Sequence, residues 1–155
     1  MKNVFFSFHY ENDINRANVV RNSWVLRGNK EAGFIDKAEF EKIKANGDKA
    51  VYDWIDNQLI GTSVTAVLIG EETCDRKFVR YELQKSYERG NKIVGIYIHN
   101  IVDMRTSSKS KKGDTTFGSL GKDPYGNDVY FYQIAKTYDW INDDGYNNFG
   151  KWIEG

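Results

Sequence analysis

Few side chains in this sequence are placed to do chemistry, and one carboxylate stands out among them. Glu82 follows Val79 by three residues and Phe78 by four, so it borders the apolar helix face drawn by Phe78, Val79, Leu83 and Tyr87. At about 1.5 Å per residue it falls within roughly two turns of that helix's start. Two readings of it stand side by side. Half-buried, its pKa would be perturbed and it could stabilise positive charge on a substrate. Exposed, it would simply pair with Lys85 one turn on.

His9 and His99 each follow an apolar run. Two histidines at one sheet edge could hold a metal. No nearby cysteine and no His-x-x-x-His spacing supports zinc, however, so hydrogen-bonded surface histidines are the simpler reading. The Asp143-Asp144-Gly145 cluster lacks the ligand spacing of a calcium loop and reads as a turn or helix cap.

The elements that must position these groups alternate. Val4–Phe8 is apolar on both faces, as in a buried parallel strand. Asn12 or Asp13 can cap a helix in which Ile14, Ala17, Val20 and Trp24 recur until Gly28. Gly33–Asp36 reads as a short second strand, and Lys37–Asn46 as a long or partly helical loop. A second helix, marked by Val51, Trp54, Ile55 and Leu59, runs from near Asp48 to Gly61. Ser63–Ile69 is a β-branched strand, the Glu82 helix follows and closes at Gly90-Asn91, and Lys92–Ile98 is a further buried strand. Residues 100–127 lose periodicity, and the run RTSSKSKK at 105–112 reads as a mobile surface loop. Its cations are taken as solvated before they are taken as a phosphate-binding patch. Val129–Ile134 is expected to be a last short strand, and Tyr146, Phe149 and Trp152 core residues of a C-terminal helix.

Strand, helix, strand in this order predicts an α/β fold in which a parallel sheet carries helices on both faces. Its ligand crevice lies beyond the carboxyl ends of the strands. That rule selects Ser7, His9 and Tyr10 after the first strand, Asp36 after the second, Gly70-Glu71-Glu72 after the third and His99-Asn100 after the fourth.

Composition narrows the partners. The 155 residues suit one domain, 1–155. Lys plus Arg and Asp plus Glu are 22 each, so no global field draws the chain to nucleic acid or anionic lipid. The lone Cys74 excludes an intrachain disulfide. The apolar patch at Val4–Phe8 is too short for a signal-peptide core or a membrane span, which points to the cytoplasm. The P-loop, the G-x-G-x-x-G loop and the G-x-S-x-G elbow are all missing.

Taken together, several segments resemble the TIR-like domains, in particular the ThsB-type TIR-like proteins of bacterial Thoeris antiphage systems. The carriers are VFFSFHY at 4–10, NVVRN at 18–22 with Trp24, TSVT at 62–65, VLIG at 67–70, FVRYE at 78–82, GNKI at 90–93, YDWI at 138–141 and DDGYN at 143–147. The resemblance implies a flavodoxin-like three-layer sandwich with a central parallel sheet. It also implies a NAD glycohydrolase or ADP-ribosyl cyclase that cleaves NAD at the nicotinamide glycosidic bond and closes ADP-ribose into a cyclic second messenger. That messenger would activate a separate effector protein in antiphage defence.

Glu82 matches the family's catalytic glutamate. Ser7, Phe8, His9 and Tyr10 match the loop that contacts the nucleotide, Asp36 and Phe40 stand at the start of the BB loop, and Phe78 is the aromatic before the glutamate. NAD is then the substrate, with no separate cofactor and no metal. Self-association through the BB loop and a phage-derived trigger are the implied partners. The chain departs from the pattern at Phe78-Val79, where such enzymes carry Trp-Cys, at Phe8 in place of tyrosine, and in a shorter segment between Asn100 and Val129. Two other readings remain: a non-catalytic TIR-like interaction module, and a flavodoxin-like binder of phosphate or nucleotide.

Overall fold

The computed structural model describes residues 3–29, 31–35 and 37–155, without the side chain of Lys37. Its central sheet is built from β1 (Val4–Ser7), β2 (Glu31–Ala32), β3 (Val64–Ile69), β4 (Lys92–Tyr97) and β7 (Lys136–Asp139). All pairings are parallel, in the order β2-β1-β3-β4-β7. This is the flavodoxin-like order, and its direction reverses between β1 and β3. Every residue of β1 and β3 is buried, which is why both read as continuous apolar runs.

Helix α1 (Tyr10–Val25) starts earlier than the Asn12 or Asp13 cap predicted. The first helical bond runs from the Asp13 N–H to the His9 carbonyl at 2.9 Å, and Asp13 is itself buried in the first turn. α1 packs with α6 (Gly145–Glu154) through Ala17, Val20, Trp24, Phe149 and Trp152, and this layer covers one face of the sheet. On the other face lie α3 (Asp48–Leu59) and α4 (Lys77–Arg89), with α2 (Lys37–Lys44) against α3. α4 ends where expected: Gly90 is left-handed, and the Asn91 N–H returns to the Ser86 carbonyl.

Three expectations are corrected. The second strand is Glu31–Ala32 rather than Gly33–Asp36. Gly33 adopts φ +80° so close to the sheet that a Cβ would lie 2.6 Å from the Phe6 carbonyl, so the chain leaves the ladder there. Phe34 then packs edge-on to Phe6 as a plug. Asp36 lies outside the described residues. Of the two readings of 37–46, the partly helical one is realised, as α2 over Lys37–Lys44. Within Val129–Ile134 only the start is strand: β6 (Asp128–Tyr130) pairs antiparallel with β5 (Ser119–Lys122) in a separate hairpin, and α5 (Phe131–Ile134) follows.

The last strand of the main sheet is instead β7, whose half-exposed edge position leaves no apolar signature. Finally, Tyr146 is 59% exposed, with the Arg27 guanidinium 4.7 Å above its ring, whereas Phe149 and Trp152 are core as expected. Asp144 does cap α6. No helix among the described residues is long and apolar enough to cross a membrane.

The crossover from β4 to β7 thus carries a hairpin and one short helical turn. Phe117, Leu120 and Phe131 from it pack on Val67, Ile69, Val79 and Leu83 as a second apolar cluster. The approach is close at Gly95 in mid-β4, where a Cβ would lie 2.8 Å from the Phe131 ring and 3.0 Å from Thr137. Gly95→Ala is therefore expected to cost about 1–3 kcal/mol by overpacking. Urea unfolding would read this as a lower midpoint at unchanged slope, and an unchanged midpoint would mean that the Phe131 ring and Thr137 back away freely.

Candidate active site

At the carboxyl ends of the strands, beside β1, a cavity of about 350 Å³ opens. Three segments that are remote in sequence wall it: Phe8–Glu11 at the junction of β1 and α1, Phe40 and Lys44 of α2 with Trp54 and Ile55 of α3, and Asp75–Val79 with Glu82 at the start of α4.

Glu82 forms part of the lining and is only 3% exposed. Ser7 Oγ, fully buried at the last residue of β1, donates to Glu82 Oε1 at 2.9 Å. Burial pushes the Glu82 carboxyl up to about 8, and the Ser7 hydrogen bond pulls the other way. One turn on, Ser86 Oγ donates to the Glu82 carbonyl at 2.7 Å and also lies 2.6 Å from Thr65 Oγ1 of β3, which fixes this stretch of α4 to the sheet. Lys85 reaches Glu88 instead, at 3.3 Å, so the surface-pair reading of Glu82 is overturned.

The wall facing the carboxylate is aromatic. Tyr10 stacks on Phe40 with centroids 4.3 Å apart and planes 5° from parallel, and Trp54 and Phe78 meet the Phe40 ring edge-on at 6.1 and 6.3 Å. Tyr10 Oη donates to the Gly33 carbonyl, tying the wall to the segment after β2. Burial raises the Tyr10 phenol far above its ordinary value, and the nearby Glu82 charge adds to this.

The mouth carries three cations, each facing a carboxylate, and Asp75 lines it as well. Lys44 pairs with Glu11 at 2.7 Å, Lys77 with Asp48 at 2.6 Å, and Arg76 with Glu72 at 4.0 Å, all in exposed positions. His9 and Arg76 occupy the N-caps of α1 and α4, and neither cap makes a side-chain hydrogen bond to its helix. Two sets of first-turn N–H groups therefore start at the same cavity. His9 Nδ1 and Arg76 Nε are both buried without a hydrogen-bond partner. Burial first, then the Arg76 charge, lowers the His9 pKa, so the imidazole is neutral near pH 7. Such a slot suits a ligand with a planar ring, a positive centre to meet Glu82 and an anionic group at the mouth.

Of the residues predicted for this site, Glu82, Phe8, His9, Tyr10, Phe40 and Phe78 are brought together in the lining. Ser7 is not in the lining: it is fully buried and hydrogen-bonds Glu82. His99 lies instead beside Asp139, 3.8 Å from its carboxylate. Sequence reasoning misses Lys44, Trp54, Arg76 and Lys77. The signal that could find Arg76-Lys77 is a basic pair opening the Glu82 helix.

The raised Glu82 pKa makes ligand-free stability depend on pH. The folded state keeps the proton up to about 8, whereas the unfolded chain releases it from about 4.5, so stability falls as pH rises through this window. Asp13, raised to about 6 chiefly by burial, acts in the same sense only at lower pH. The lowered His9 and His99 act oppositely, below their ordinary 6.5. Between pH 6.5 and 8 the slope therefore belongs to Glu82, and Glu82→Gln is expected to flatten it in chemical denaturation series. A slope kept by the variant would show that Glu82 is ionised in the empty protein.

Comparison with known proteins gives two findings. Residues 5–103 match the family described as Thoeris protein ThsB, TIR-like domain. The chain is also 40% identical to the putative cyclic ADP-D-ribose synthase ThsB1 of Bacillus cereus (strain MSX-D12), over 190 aligned positions that cover 98% of each chain. That alignment is longer than the 155-residue chain, so the relative carries residues that this chain lacks.

Proposed function

Because the chain belongs to the ThsB TIR-like family of Thoeris proteins, we propose that it cleaves NAD at the nicotinamide glycosidic bond and closes the ADP-ribose into a cyclic messenger. The observation that carries this reading is a buried carboxylate, Glu82, held by Ser7 in a cavity with an aromatic wall and paired cations at its mouth. NAD offers the matching features: a positively charged flat ring, a ribose and a pyrophosphate. The nicotinamide ribosyl half enters toward Glu82 and the rings of Phe40, Trp54 and Phe78. The pyrophosphate lies at the mouth, over the N-termini of α1 and α4, and takes up the unpartnered His9 and Arg76 donors.

Chemistry then follows from charge. The C1′–N bond breaks with its electron pair going to the pyridinium nitrogen, so nicotinamide leaves neutral and needs no proton. Positive charge passes to the ribose as an oxocarbenium-like centre, and a fixed carboxylate beside it lowers the barrier. The cationic ring entering beside Glu82 also favours the ionised carboxylate, so substrate binding itself drives off the proton that burial retains. A nucleophilic atom of the adenosine half attacks C1′ and loses its proton to close the ring, and the apolar walls keep competing water away. NAD serves as substrate with no further cofactor. The cytoplasm is the compartment, self-association through the segment after β2 completes the site, a phage-derived trigger switches it on, and the messenger reaches a separate effector.

Purified protein incubated with NAD, with and without infected-cell lysate, is expected to release nicotinamide and a cyclic ADP-ribose isomer, both resolved by chromatography. Glu82→Gln should lower kcat by about 10²–10³-fold. In the wild type, kcat/KM should rise with pH up to about 8 as free Glu82 ionises. Ser7→Ala should move that rise to higher pH, because it removes the hydrogen bond that opposes burial. No nicotinamide under any condition would favour an interaction module, and equal turnover by Glu82→Gln would remove Glu82 from the mechanism.

A further inference from the structure

A second cavity, of about 400 Å³, opens on the other side of the α1 start, between α1 and residues 103–111. The sequence suggests a mobile loop here, and the structure shows a built frame instead. Arg16, 6% exposed, donates Nε to the Ile101 carbonyl at 2.8 Å and Nη2 to the Ser108 carbonyl at 3.0 Å. Its Nη1 lies 3.8 Å from the carboxylates of both Asp13 and Asp103. Asp103 also accepts the Asn15 amide at 3.0 Å and the Arg105 N–H at 2.8 Å, and its own N–H bonds to the Ser108 carbonyl at 2.9 Å. Asp103 is thereby engaged with the backbone of this segment, whereas Asp13 faces Arg16 and accepts the Thr73 hydroxyl at 3.5 Å.

What the frame presents is cationic. Lys109 and Lys111 line the cavity, and neither makes an ion pair among the described residues. Arg105, with its side chain 61% exposed, reaches only Asp103, at 3.9 Å. Between the two lysines, the Ser110 N–H is held by the His99 carbonyl at 3.0 Å, and its Oγ is buried in the lining without a hydrogen-bond partner. A hydroxyl without a partner and two lysines, contributed by consecutive residues to one cavity lining, suit a compact anion with several acceptor oxygens. Glu71, also in the lining, would repel the neighbouring phosphates of an extended polyanion, so a small ligand is favoured over a nucleic acid. The volume is that of ordinary small-molecule sites.

We propose that this cavity binds a phosphate-bearing small molecule, with Lys109 and Lys111 pairing with the phosphate and Ser110 Oγ donating to it. The site is separate from the Glu82 cavity, shares no lining residue with it, and does not depend on what that cavity does. The test is an NMR titration of the ¹⁵N-labelled chain with pyrophosphate and, in a second arm, with ADP, at constant ionic strength. Saturable shifts of the amides of residues 105–112 are expected. Lys109→Ala/Lys111→Ala should weaken this binding by at least about tenfold, whereas Arg76→Ala should leave these shifts intact and alter only those near His9. Tighter binding of ADP would identify a nucleotide, and equal binding in the two arms would identify the phosphate group alone as the ligand. Shifts that stay linear with anion concentration, that persist undiminished in the double-lysine variant, or that appear only around His9 and Arg76 would overturn the proposal.

Discussion

The molecule is organised around one acid taken out of water. Placing the Glu82 carboxyl in a nearly dry cavity is costly unless it is hydrogen-bonded, and Ser7 supplies that bond from the end of β1. This requirement reaches into both elements. β1 must be apolar along its length yet finish on a hydroxyl, and α4 must lie across the sheet with its second turn above that hydroxyl. The Ser86–Thr65 contact one turn further along keeps it there. A polar pair buried in an otherwise apolar layer is a local exception to good packing of the kind that marks functional sites.

The parts of this arrangement that depend on neighbouring residues are legible in the amino-acid sequence. β1, β3 and β4 are buried on both faces and so announce themselves as unbroken apolar runs, and the α4 face places Glu82 on its border. Ser7 is legible as a strand-end residue but not as the partner of Glu82, because that contact spans 75 residues of chain. The cavity is legible only in outline for the same reason: Lys44, Trp54 and Arg76 sit on three different segments, and nothing in their own surroundings says that they converge. β7 escapes notice because an edge strand exposed along half its length has neither an apolar run nor clear alternation. The segment at 105–112 reads as a mobile loop for a physical reason too: the cation that orders it, Arg16, lies about ninety positions earlier on α1.

The crossover between β4 and β7 shows how the layer rule is met with unusual material. A sheet face needs apolar cover but not necessarily a long helix. Here a hairpin and a four-residue helical turn bring Phe117, Leu120 and Phe131 over β3 and β4, against the flank of α4 opposite the aromatic wall. α4 is thus gripped on both sides, by α3 and by the hairpin, and this steadies the carboxylate it carries.

Gly70, directly after β3, has both of its sides filled. The Asp13 carboxylate occupies the place where a Cβ would go, and the backbone of Gly113 is packed against the Gly70 carbonyl. The short stretch that continues from it shows Glu71 to one hollow and Asp75 and Arg76 to the other. Residues 70–76 therefore contribute to two separate cavities within a few peptide units of one another.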